Sequence, residues 1–310
     1  MSMTRRIRAF VLGTWVLIGA MAGAVGAAEI AVDLELVLAI DISGSIDPDE
    51  AKLQRDGYVG ALTSLAVLQA IRSGGNRRIA VAYFEWASYH HKRLVADWAL
   101  VEDEASAHAF AAKLAEVPIA IGQRTSISGA IEFAIPMFDD NGFEGARRVI
   151  DISGDGPNND GPLITIAREA AIAKGITING LPVINNRPNR FGFPTSPDLD
   201  LYYLGCVIGG SGAFVVVADD FASFAQAIRR KLIMEIAGTA PGPHPRRRQG
   251  FAGAQPTRLA LWPAATVAPT MNAPRSLGLL PVAAPHYAPG CDIGERQSRE
   301  FMQRRFWGND

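Results

Sequence analysis

Residues 34–40, Leu-Glu-Leu-Val-Leu-Ala-Ile, are apolar at every position but one and run directly into Asp41-Ile-Ser-Gly-Ser45. An apolar run of that length without alternation is what a strand buried on both faces needs, and such strands belong to parallel sheets flanked by helices. The polar residues that follow then sit at the carboxyl end of the strand. That rim is where open α/β sheets bind ligands. One carboxylate and two hydroxyls at i, i+2 and i+4 are hard oxygen donors, suited to Mg²⁺, Mn²⁺ or Ca²⁺ rather than to zinc or copper.

The chain from residue 28 to residue 238 alternates strand-like and helix-like segments, the signature of an α/β sheet. Residues 48–72 read as one amphipathic helix, with Asp47 as N-cap and Pro48 at the first position. Strands are expected at 78–86, 149–153, 176–184 and 214–217, with an antiparallel edge strand at 94–98. Helices are expected at 103–116, 126–138, 162–174 and 221–237, the third of these stopped by Gly175 and the second bent by Pro136. The fold class is therefore α/β, doubly wound, with a mostly parallel central sheet and helices on both faces. Right-handed crossovers put the strands that carry the polar rim side by side at its centre.

Two further segments bring chemistry to that rim. Gly122-Gln-Arg-Thr125-Ser-Ile-Ser-Gly opens a helix and supplies another hydroxyl. Arg147-Arg-Val-Ile-Asp-Ile-Ser-Gly-Asp155-Gly is a strand that ends in a carboxylate followed by Gly. In their order and strand context, Asp41, Ser43, Ser45, Thr125 and Asp155 resemble the metal-ion-dependent adhesion site of von Willebrand factor A (VWA) domains. The resemblance covers about residues 32–238. Gly-Asp-Gly-Pro-Asn-Asn at 154–159, Asn179-Gly-Leu-Pro182, residues 202–210 and residues 231–238 are similar to a bacterial VWA-like group of unknown function. The resemblance implies hydroxyl ligands bound directly, aspartates that often act through water, and an open coordination position for a partner carboxylate. It implies binding rather than catalysis.

A haloacid-dehalogenase-type phosphatase is the competing reading, because those enzymes also place Asp after a first strand and a Gly-Asp-Gly after a later one. Their general acid two residues past the nucleophile is here Ser43, and Asp155 and Asp160 are one residue too far apart. No Gly-x-x-x-x-Gly-Lys-Ser/Thr loop is present, which excludes a nucleotide motor of that type.

The flanks differ from the domain. Arg5, Arg6 and Arg8, an apolar stretch and Val25-Gly-Ala27 form the pattern of a secretory signal peptide over residues 1–27, cleaved near Ala27 into a periplasmic or extracellular protein. Residues 239–310 carry nine Arg against four acids and are rich in Pro, Ala and Gly to about residue 289, so they read as a disordered tail. The whole chain has a formal charge of −1. Without both flanks the domain is about −9, which argues against nucleic acid as a partner. Of the two cysteines, Cys206 reads as a buried free thiol, with a bridge to Cys291 the alternative that export permits.

The remaining candidates are weaker. Asp47, Asp49 and Glu50 fit the first turn of a helix. Asn158, Asn159 and Asp160 fit a turn and a cap for the next helix. Tyr83, Phe84 and Trp86 read as core, and His90 and His91 as a hairpin turn. The loop at 185–200 should emerge on the metal face. Its Arg187, Arg190, Phe191 and Phe193 combine cationic and aromatic groups favoured at protein interfaces.

Overall fold

The computed structural model describes residues 28–184, 198–220, 223–238, 287 and 289–307. The signal-peptide reading of 1–27, the partner-binding reading of Arg187, Arg190, Phe191 and Phe193, and the disorder expected for 239–286 lie outside the described residues. The elements are β1 (Ile30–Val32), β2 (Glu35–Asp41), α1 (Pro48–Leu62), α2 (Leu65–Arg72), β3 (Ile79–Trp86), β4 (Lys92–Val101), α3 (Glu104–Glu116) and α4 (Ile127–Ala134). They continue with β5 (Phe143–Gly145), β6 (Arg148–Gly154), α5 (Ile164–Ala173), β7 (Thr177–Pro182), α6 (Leu199–Tyr202), α7 (Phe224–Ala237) and α8 (Ile293–Trp307).

The main sheet has the order β4-β3-β2-β6-β7, with β4 alone antiparallel. Strand β2 is central and buried at every residue, as its apolar run requires. Side chains alternate across it. Leu36, Leu38 and Ile40 enter one core with α1, α2, α3 and α7, while Val37 and Ala39 enter the other with α4, α5 and α6. This is the doubly wound three-layer arrangement. Tyr83, Phe84 and Trp86 are wholly buried in these cores.

Local differences from the sequence expectations have local causes. The helix over 48–72 is two helices, because Ser64 leaves the helical conformation and caps α2 by accepting from Val67 N. A capping box of Asp47 and Glu50 starts α1, so these acids serve the helix end. Pro136 lies in a 3₁₀ turn, Ile135–Phe138, that closes α4. The strand expected at 214–217 is reduced to the isolated bridges Gly180↔Val215 and Val183↔Ala218. A small parallel pair, β1 with β5, had no clear sequence pattern.

The largest correction concerns the carboxyl-terminal flank. Cys206 is not a free thiol: it is bonded to Cys291. Nor are residues 287–307 simply tail. Tyr287, Cys291 and Ile293 pack on the second core, and α8 follows. The bridge and this apolar packing offset the ordering entropy that composition alone suggested would win.

Candidate metal centre

The ends of β2 and β6 meet at the rim. The last residue of β2, Asp41, is fully buried, and its Oδ1 accepts from Ser43 N at 2.7 Å. Ile42 N donates to Trp86 O of β3 at 2.8 Å, which holds the turn to the sheet. Ser43 Oγ lies 3.0 Å from Ser45 Oγ, and Ser45 Oγ donates to Asp155 Oδ1 at 2.5 Å. Thr125 Oγ1 donates to Ser43 Oγ at 3.4 Å. The five residues singled out in the sequence therefore form one connected cluster. Its inner end, Asp41, Ser43 and Thr125, is buried, and its outer end, Ser45 and Asp155, is half-buried.

Backbone contacts fix the Thr125 loop. Gly122 N donates to Ile42 O at 2.7 Å and Ser126 N to Ala87 O at 2.8 Å. Arg124 takes a left-handed backbone (φ 60°) just before Thr125, a conformation uncommon for a non-glycine residue. Gly154 is dictated by close approach. A Cβ there would lie 2.8 Å from Asp41 Oδ2 and 2.9 Å from the Tyr203 hydroxyl.

Asparagines link the loops, and here the sequence reading needs correction. Asn159 Oδ1 accepts from Thr125 N at 2.8 Å, and Asn159 N donates to Thr125 O at 2.8 Å. Asn158 is fully buried and its Oδ1 accepts from Ser128 N at 2.9 Å. Asp160 Oδ2 accepts from Tyr89 N at 2.8 Å in the β3–β4 hairpin. None of the three caps α5, whose N-cap is Leu163 with no side-chain bond. They staple the Asp155 loop to its neighbours. Their position directly after Asp155 was the available signal. For Tyr203, whose hydroxyl reaches the floor of the cluster from a π-helical turn (Tyr203–Val207), there was none.

The electrostatics of Asp41 are set by its burial and by the second carboxylate. Burial, and then the charge of Asp155, hold the Asp41 carboxyl well above the ordinary carboxylate range, against hydrogen bonds from Ser43 that favour the anion. The largest influences on Asp41, burial and Asp155, both disfavour the anion. Its Oδ2 is buried without a hydrogen-bond partner. A divalent cation beside Asp41 would favour the carboxyl's charged form. Its adjacent ligands, at about 2.1 Å in octahedral geometry, would lie about 3 Å apart, close to the Ser43–Ser45 and Ser43–Thr125 separations. No group of three or more His, Cys, Asp or Glu converges among the described residues. The donor set that does converge is hydroxyl-rich, as a hard ion accepts and a zinc or copper site does not favour. The residues present thus fit such an ion.

A five-stranded, mostly parallel sheet wrapped on both faces, with this cluster on its carboxyl rim, defines a VWA fold. Proximal thread matrix protein 1 from the mussel byssus is similar at 12% identity and a TM-score of 0.50, over 68% of this chain and 50% of that one. Another crystal of that protein, with a zinc-occupied MIDAS motif, matches at 12% identity and a TM-score of 0.48 over the same shares. The vWF domain of the pili tip protein Mfa5 from Porphyromonas gingivalis matches at 12% identity and a TM-score of 0.44, over 69% of this chain and 99% of that one. The chain thus spans about half the length of the first of these structures. No curated protein matches it. Within the VWA class, the chain belongs to the family described as protein of unknown function (DUF1194), whose model matches residues 31–240.

Proposed function

We propose that the chain is an exported VWA-type module that binds one divalent cation, Mg²⁺ or else Mn²⁺ or Ca²⁺, and through it docks an acidic group of a macromolecular partner. Asp41, Ser43, Ser45, Thr125 and Asp155 would hold the ion. The observation that carries this reading is two aspartates held together around three hydroxyls, one carboxylate oxygen being buried and unpaired. When bound, the ion supplies positive charge and an acceptor site for a hard anion. The chain's residues do the rest. Ser43, Ser45 and Thr125 add no charge, so the ion keeps its attraction for a partner carboxylate, while Asn159 holds the Thr125 loop in register. Arg187, Arg190, Phe191 and Phe193 would add partner contacts. Residues 1–27 would direct export.

Calorimetry with Mg²⁺ or Mn²⁺ should give one site for the wild type and none for Asp41→Ala/Ser45→Ala; equal heats from both would end this reading. Capture of envelope proteins should be lost with EDTA and with Asp41→Ala. No phosphatase turnover is expected, since Ser43 stands where the general acid would be needed. Metal-dependent hydrolysis of an aryl phosphate, abolished by Asp41→Asn, would overturn that.

A further inference from the structure

The segment 287–307 lies beyond the residues matched by the family model. It nevertheless touches the loop that carries Asp155, and three contacts of different chemistry define the junction. The Cys206–Cys291 bond joins the segment to the turn that begins with Tyr203. The rings of Tyr202 and Tyr287 stack edge to face at 5.7 Å. Glu295 Oε1 accepts from Asn158 Nδ2 at 2.7 Å. The start of α8 is pressed onto the same residue, for a Cβ on Gly294 would lie 2.0 Å from Asn158 O.

Asn158 is thereby held from every side. Its N donates to the Tyr202 hydroxyl at 3.2 Å, its Nδ2 also to Pro162 O at 3.1 Å, and its Oδ1 accepts from Ser128 N. The next residue, Asn159, carries the Thr125 backbone. From Glu295 to the proposed ligands there is one short path, Glu295–Asn158–Asn159–Thr125, and a parallel one from Cys206 back to Tyr203 beside Asp41 and Gly154.

We propose that Glu295, on the disulfide-anchored terminal segment, is a positioning residue for the metal centre, acting through Asn158 to fix the Asp155–Asn159 loop. The proposal rests on the metal-binding reading above. A flexible loop must be ordered when the ion binds; a loop already clamped has that cost removed, and affinity rises accordingly. Groups that hydrogen-bond the ligands themselves tune affinity by roughly 10–100-fold, and Glu295, acting through Asn158 and Asn159, takes the low end of that range. Asn158 is fully buried whereas Glu295 is half-buried, so Glu295 is the member of the pair whose change disturbs the core less.

The test is a titration of the full chain with Mn²⁺ alone, with free Mn²⁺ read by its electron paramagnetic resonance. Glu295→Ala should weaken binding roughly tenfold, and Glu295→Gln, whose amide oxygen accepts the same bond, should restore it to within about twofold of wild type. Cys206→Ser/Cys291→Ser should weaken binding in the same direction and add little to Glu295→Ala, because both release one clamp. Wild-type affinity in Glu295→Ala, or equal losses in the Ala and Gln variants, would overturn the assignment. Should the wild type bind no Mn²⁺, the metal reading itself fails. Amide exchange of the metal-free protein then decides the clamp: faster exchange at Asn158, Asn159 and Ser128 in Glu295→Ala supports it, and unchanged exchange rejects it.

Discussion

Two acidic sites lie in and just past strand β6, and they are built in opposite ways. At Asp151, inside the strand, Lys231 of α7 reaches in and pairs with both Asp151 Oδ1 and Glu235 Oε1 at 2.5 Å. Asn179 Nδ2 donates to the same Glu235 oxygen at 3.1 Å, and the ammonium also faces the Phe214 ring, 5.6 Å from its centroid. At Asp155, four residues on, the second carboxylate is Asp41 and the groups between are hydroxyls. Both sites bring two acids together, fully buried at the inner site and buried at Asp41 alone at the rim. The inner site carries its own cation on α7, whereas the rim site sets hydroxyls between its two carboxylates and leaves Asp41 Oδ2 buried without a hydrogen bond.

Removing the internal cation should produce the largest effect. Lys231→Met leaves Asp151 and Glu235 buried without their counter-ion and should cost about 3–5 kcal/mol in denaturant unfolding. A loss below about 1 kcal/mol would show that the inner site is wet and the contrast false. Supplying the external cation comes next. At a concentration of one hundred times Kd, Mg²⁺ or Mn²⁺ should stabilise the wild type by about 2.7 kcal/mol and Asp41→Asn not at all. Equal shifts in both proteins would place the ion elsewhere.

The pH response sharpens the contrast at the inner site. Burial, then the charge of Asp151, lifts Glu235 from 4.5 to about 7 in the fold despite Lys231. The native state thus retains a proton that the unfolded chain releases from about pH 4.5 upward. Glu235 therefore contributes stability that is present below pH 4.5 and lost as pH rises towards 7. Glu235→Gln should flatten the stability curve in that window; an unchanged slope would assign it to other groups. The smallest effect belongs to the metal-free rim. Asp41→Asn relieves the crowding with Asp155 and should leave the metal-free protein equal or more stable, by up to about 1 kcal/mol, or roughly 2–4 °C for a domain of this size. A clear loss of metal-free stability would mean that Asp41 is structural.

Much of this was written along the chain. The mostly apolar runs at β2 and β6, each interrupted by one acid, pointed to a buried parallel sheet, and Asp41-Ile-Ser-Gly-Ser45, Thr125 and Asp155 lay at ends of elements, where local pattern is a sufficient guide to position. The packing of α7 was only half legible. Phe224, Ile228, Leu232 and Ile236 announced its apolar face, but Lys231 and Glu235 are buried on that face as well. A charged residue reads as exposed until its partner is known, and Asp151 and Asn179 lie on other strands. The same reason hid the roles of Asn158, Asn159 and Tyr203, whose partners are far away in sequence. It also left the Cys206–Cys291 bond, 85 residues apart, as only the alternative to a free thiol, although Tyr287, Cys291 and Ile293 pack on the fold beside it. Periodicity and element ends are set by neighbours along the chain, so sequence alone determined the sheet and the five rim residues. Which buried charges find partners, and what clamps the rim, depends on surfaces that exist only after the chain has folded.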